Sequence, residues 1–322
     1  MKPHITIFWG GNDTERSVSK KSFEEVYGVI DLSRFEVDSI EVKQDGSWFI
    51  NDAAIAIETA LITTDYAFIA MREAYGRDGT LQKILDEYRI PYNGSDALTT
   101  HIGFMKSATK ALYQKHNIKT PIYETHSLDP GHQNTKSLAD YLFKNFPLPF
   151  VLKPDRCDLS NHTHIVENFN QIEDALTEIE RSCKRVLVEQ YVKGRVACVG
   201  VLENLRDQQY YALPETEIVR THNMSDSTVG HPEEHETLCP GSFDQTTKAL
   251  LAELAIKAHQ SIGASGYSMT DFIVTPKHAY ALGTDTLPDL SQNALIRKQF
   301  DVVGLDLKQF VAHCIEEALT QR

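Results

Sequence analysis

The residue types most suggestive of chemistry on first reading are histidines. His231-Pro232-Glu233-Glu234-His235 places two imidazoles at the spacing of a zinc-binding helix, and Cys239 follows shortly after. The glutamate is displaced from that motif and Pro232 disfavours a helix interior, so the expectation here is a solvated polar loop. His162 and His164 alternate as on a strand face and read as surface residues. The 5 cysteines are odd in number and include no C-x-x-C. That argues against a disulfide framework or a zinc ribbon, and for a reducing, cytoplasmic setting with cysteines acting as small buried hydrophobes. Lys153 is different, because it ends the apolar run Pro149 to Lys153 beside Pro154, which is not the setting of a solvated surface lysine.

Elements that could position such residues alternate along the chain. His4 to Trp9 is a short apolar strand ended by Gly10-Gly11, and Asn12, Asp13 and Thr14 are all helix N-cap types. A helix is expected from about Glu15 to Val29, then a strand over Phe35 to Val42. Asp65 to Met71 is a continuous apolar run, as a central parallel strand requires. A helix follows Asp78-Gly79, and another covers Ile102 to His116. Asn170 with Glu173 three residues on reads as a capping box. Arg185 to Gln190 is a strand, and Val196 to Leu202 with Gln209 to Leu213 forms a hairpin. Thr246 to Ile262 is an amphipathic helix through Leu250, Leu254, Ala258 and Ile262. Gly266 to Val274 pairs with His278 to Leu282, and a helix over Leu307 to Leu319 closes the chain. Thr221 to Glu236 is a long polar loop of the kind that forms functional lids.

A chain of 322 residues suggests two or three domains at ~100–200 residues each. Its 41% hydrophobic and 24% charged residues are those of a globular protein able to bury its own core. With 32 Lys+Arg against 45 Asp+Glu the formal charge is -13, which argues against a broad nucleic-acid surface but not against one local basic pocket. No stretch approaches the ~18 apolar residues of a membrane span.

From Gly10 to Ser19 the chain resembles the D-alanine–D-alanine ligases of the ATP-grasp superfamily, whose first strand ends in Gly-Gly before a polar run and Val-Ser. Asp78-Gly79-Thr80-Leu81-Gln82 and Pro91-Tyr92-Asn93-Gly94-Ser95 continue the resemblance in order, as do Pro149 to Pro154, Val186 to Val192, Cys239-Pro240, Gly266-Tyr267, Asp271-Phe272 and Thr286-Leu287-Pro288. The resemblance implies an α+β chain with an α/β N-terminal domain, a three-domain ATP-grasp fold divided at residues 1–94, 95–188 and 189–322. It also implies ATP and Mg²⁺ as cofactors, a small amino acid as ligand, and a homodimer.

By the same resemblance, Lys106, Lys153 and Glu189 would bind nucleotide, Asp271 and Asp285 one Mg²⁺, and Glu15 the amine of the first substrate. Other positions depart from the family. The loop Asp155 to His164 has no glycine and carries Asp158, leaving Ser160 and Arg156 as its matches. Val196 replaces the ribose-binding acid, and Val229 and Gly230 lie where the lid's Lys-Tyr pair is expected. Met269 replaces the arginine of the transition state, Gly283 the bridging glutamate, Asp289 a glycine and Ala294 a serine. Arg72 stands for a histidine. The expectation is a family member that has lost dipeptide ligation and keeps a binding, regulatory or structural role. An active ATP-dependent carboxylate–amine ligase with a rebuilt site is the alternative.

Overall fold

The computed structural model describes residues 2–11, 13–71, 74–128, 135–156, 163–219 and 236–320, with the side chains of 13–15, 74, 319 and 320 outside the description. Among the described residues the strands form three sheets. The first is built from β1 (His4–Gly11), β2 (Glu36–Lys43), β3 (Trp48–Ile50), β4 (Ala53–Ile55) and β5 (Tyr66–Ile69), with α1 (Asp13–Val29), α2 (Ile57–Leu61), α3 (Ala74–Arg77) and α4 (Thr80–Glu87) between and after them. Its order is β4-β3-β2-β1-β5, and β1 pairs in parallel with both β2 and β5. Every residue of β5 is buried, as its unbroken apolar run requires. Gly10, at φ +141°, could not carry a side chain: an added Cβ would lie 2.0 Å from the Val42 carbonyl oxygen. The Ser19 hydroxyl of α1 accepts from the Gly10 N–H and donates to the Ala70 carbonyl, fixing the helix over the strand ends.

The second sheet is antiparallel, in the order β6-β9-β7-β8, from β6 (Tyr123–Ser127), β7 (Phe150–Pro154), β8 (His164–Val166) and β9 (Arg185–Gln190). α7 (Thr135–Asn145) and α8 (Phe169–Glu180) cover it through Leu138, Leu142, Ile172, Leu176 and Ile179. The cap of α8 lies two residues before the expected one. Asn168 accepts from the Gln171 N–H while the Gln171 side chain takes the Glu167 N–H, so Asn168 and Gln171 form the reciprocal pair and Asn170 lies inside the helix.

The third sheet runs β13-β12-β10-β14-β15 with β11 beside β10. Its strands are β10 (Arg195–Leu205), β11 (Gln208–Ala212), β12 (Thr216–Val219), β13 (Glu236–Leu238), β14 (Tyr267–Val274) and β15 (Ala279–Asp285). The expected hairpin turns at Asn204, Arg206 and Asp207, all in the left-handed region. α9 (Gln245–Ile262) packs on this sheet, capped by Asp244 accepting from the Thr247 N–H and ended by left-handed Gly263.

Two packing features differ from the sequence expectations. The single helix expected over Ile102 to His116 is broken at extended Met105 into α5 (Ala97–Phe104) and α6 (Lys106–Lys115). Tyr113 and Ile118 join the core under α9, so the segment assigned to the central domain packs on the third sheet instead. The closing helices α10 (Leu295–Val302) and α11 (Leu307–Thr320) return to the first sheet, where Phe300, Phe310 and Ile315 share a core with Ile5 and Tyr66. Asn93 Nδ2 donates to the Tyr267 hydroxyl at 2.8 Å, a buried link between the first and third units.

Candidate active site

Two charged clusters lie close enough together that Lys153 of the first acts on Asp271 of the second. At the first, Glu189 of β9 lies buried between two lysines. Its Oε1 accepts from Lys110 Nζ of α6 and its Oε2 pairs with Lys153 Nζ of β7. Lys110 also donates to Thr120 Oγ1 at 2.7 Å and lies over the Tyr123 ring. Burial pulls Lys110 down to about 8, opposed by attraction to Glu189 and aided by repulsion from Lys153 and Lys106. Burial favours a neutral Glu189, but the two lysines hold its carboxyl below the ordinary glutamate value. Two lysines on one carboxylate, with Lys106 close enough to repel Lys110, leave an excess of positive charge.

Of these residues, Lys153 and Glu189 were expected from the sequence, but Glu189 acts through its side chain as well as through its strand position. Lys110 was missed. The available signal was its place one turn after Lys106 on the same helix.

Asp155 is what breaks the helix at Met105. Its Oδ1 accepts from the Ser107 N–H and its Oδ2 from the Ser107 hydroxyl, both at 2.8 Å, while its carbonyl takes the Lys106 N–H. Asp155 thus satisfies two free N–H groups at the start of α6, that of Ser107 through its carboxylate and that of Lys106 through its carbonyl. Arg185 approaches the same carboxylate at 3.5 Å.

The second cluster lies on one face of β14 and β15. Met269 pairs with Asp285 and Asp271 with Gly283, so all four share that face. Burial, with the charge of Asp285, pushes the Asp271 carboxyl up to about 6, and Cys198, Arg77 and Lys153 pull it back. Asp271 faces Cys198 of β10, whose thiol burial and the carboxylate keep well above its ordinary value. Asp285 Oδ1 accepts from the Leu287 N–H at 2.9 Å, and its Oδ2 pairs with Arg77 Nη2 at 3.0 Å. Arg77 ends α3 in the first unit and was not expected here. Gly283 leaves open space, since an added Cβ would meet nothing within 4 Å.

Asp289 is spent on structure, accepting from Ser22 of α1 and from Ser291. The row Ser268–His259–Glu203 has the residue types of a hydrolytic triad, but Ser268 and His259 are 0% exposed, so it ties α9 to β10 and β14. Glu15 lies in the first turn of α1, with its side chain outside the description, while its neighbour Arg16 pairs with Glu41 at 2.5 Å. Arg72, Cys157, Asp158, Ser160, His162, Val229, Gly230 and the His231–His235 pair lie outside the described residues. Cys183 and Cys198 are buried free thiols, as expected.

The donor sets fit a polyphosphate better than they fit a metal. Lys106 and Lys153 would hold the phosphates of ATP by charge-assisted bonds, while Lys110, fully buried against Glu189 and Thr120, would hold Glu189 in place. For Mg²⁺, Asp271 and Asp285 are the available carboxylates, and both oxygens of Asp285 are engaged. Among the described residues no group of three or more His, Cys, Asp or Glu side chains is placed to hold a metal ion. Nor is any described helix long and apolar enough to cross a membrane.

An α/β N-terminal unit, an antiparallel central sheet carrying the lysine cluster and a larger C-terminal sheet define the three-domain ATP-grasp class. Within it, the model of the D-ala D-ala ligase C-terminus matches residues 112–316, and the chain belongs to that family. It is 30% identical to a D-alanine--D-alanine ligase of Syntrophobacter fumaroxidans, over 98% of this chain and 97% of the relative. A D-alanine--D-alanine ligase of Leptospira interrogans is 27% identical over 98% of both chains. Among solved structures, the D-alanine-D-alanine ligase from Coxiella burnetii superposes with a TM-score of 0.84 at 21% identity, covering 99% of this chain and 94% of that one. The Bacillus anthracis D-alanine--D-alanine ligase complexed with ATP gives 0.80 at 22%, covering 99% and 98%.

Proposed function

We propose that the chain is a nucleotide-cleft protein of the D-alanine–D-alanine ligase family that has lost dipeptide ligation and acts by binding. The observation that carries this reading is the carboxylate cluster, where Arg77 engages Asp285 beside Gly283 and Met269. Phosphoryl transfer to a carboxylate needs cationic charge to stabilise the transferring group, from metal ions held by carboxylates or from fixed donors. The Met269 side chain offers no donor, and Gly283 offers no ligand. A small amino acid remains the candidate second ligand through Glu15, and a homodimer the candidate assembly.

The test is calorimetric titration with ATP, with and without Mg²⁺, together with phosphate release in the presence of D-alanine and Mg-ATP. Loss of several charge-assisted contacts at ~1.5–3 kcal/mol each puts the expected dissociation constant in the millimolar range. No D-alanine-dependent phosphate release is expected. Turnover that disappears in Asp271→Asn overturns the reading. It would favour a second one, an active ATP-dependent carboxylate–amine ligase with a rebuilt site, which the Lys110–Glu189–Lys153 end supports.

A further inference from the structure

Asp271 and Asp285 lie diagonally across two paired strands, on one half-buried face, each within the field of the other. Two such carboxylates need a counter-charge, because their mutual repulsion in a partly desolvated site is costly. The structure provides it from another unit of the molecule. Arg77 reaches from the end of α3 to Asp285, with Nη2 3.0 Å from Oδ2, and lies near enough to Asp271 to favour its ionised form. The guanidinium and its partner carboxylate are both largely shielded, at 17% and 18% exposure.

A divalent ion of the Mg²⁺ type demands about six oxygen ligands in close to octahedral geometry. Here Asp285 has its two oxygens committed to a guanidinium and to a backbone N–H, and Gly283, facing Asp271 across the ladder, contributes none. The cation already present is permanent, since a guanidinium does not lose its proton in proteins.

We propose that Arg77 is the resident cation of the Asp271–Asp285 pocket, standing where a divalent ion would otherwise sit, so that the pocket takes up no divalent metal until this side chain is removed. The proposal concerns the pocket without nucleotide or amino acid, so it can fail while the loss of ligation stands, and the reverse.

The experiment measures uptake of Mn²⁺ alone by the full chain, from the electron paramagnetic resonance signal of the free ion. Wild type and Arg77→Lys are expected to leave that signal unchanged. Arg77→Met, which keeps the aliphatic stem, and Arg77→Gln are expected to bind Mn²⁺ at least about tenfold more tightly than wild type. Adding Asp271→Asn to either variant should abolish the uptake. Mn²⁺ binding by wild type that Asp271→Asn removes overturns the proposal, as does the absence of uptake in folded Arg77→Met and Arg77→Gln. Thermal unfolding of wild type in Mn²⁺ is a readout that needs no Arg77 variant. No rise in midpoint is expected, and a rise that Asp271→Asn removes is a refutation.

Discussion

The two charged clusters are near opposites. At one, Glu189 sits between Lys110 and Lys153; at the other, Arg77 faces Asp271 and Asp285. The lysine end is made by α6 and the central sheet, and its middle member is buried, so every charge there depends on the others. The aspartate end is assembled across units, with an arginine from the first and carboxylates from the third. An excess of buried positive charge suits an anionic ligand. An excess of negative charge already met by an arginine does not call for a metal. The two clusters rest on different strands, so a substitution in one can leave the other in place.

The largest effect expected is at the lysine end. Glu189→Ala leaves two lysines buried beside each other without a partner, and breaking a buried pair in this way costs about 3–5 kcal/mol. The thermal midpoint should fall steeply at neutral pH. If Glu189→Ala unfolds like wild type, the two ends are not distinct in the way described.

At the aspartate end the sign reverses. A carboxyl raised from 3.8 to about 6 in the fold contributes stability that is complete below pH 3.8 and is lost as pH rises through 6. At neutral pH that loss is on the order of 3 kcal/mol. Asp271→Asn should therefore stabilise the protein against wild type at pH 7.5, with the advantage shrinking as pH falls toward 4. Thermal unfolding across that range gives the answer, and a variant less stable than wild type at pH 7.5 would show Asp271 to be firmly ion-paired.

The smallest effect concerns the junction that aims the lysines. Asp155→Ala removes the acceptor of both Ser107 bonds and should cost about 0.5–2 kcal/mol, the usual range for a lost helix cap. Chemical denaturation followed by circular dichroism measures it. A drop in polyphosphate affinity accompanying it would tie the cap to the placement of Lys106 and Lys110.

Local pattern made much of the fold legible. The unbroken run of β5, the periodicity of α9 and the turn residues between β10 and β11 each state a local preference that burial then satisfies. Lys153 was recognisable because its own strand is apolar up to the lysine. Ordered motifs along the whole chain carried the family.

What the sequence left open are the charge pairings. Nothing near Arg77 in the chain announces Asp285, and Lys110 reads as an ordinary helical lysine until Glu189 is seen beside it. The helix break at Met105 likewise follows from Asp155, a residue just past the end of β7. Helix and strand preferences act over a few residues, so sequence spacing encodes them. Coulomb attraction and desolvation depend on distance and burial in three dimensions, so only the assembled sheets decide which charges meet.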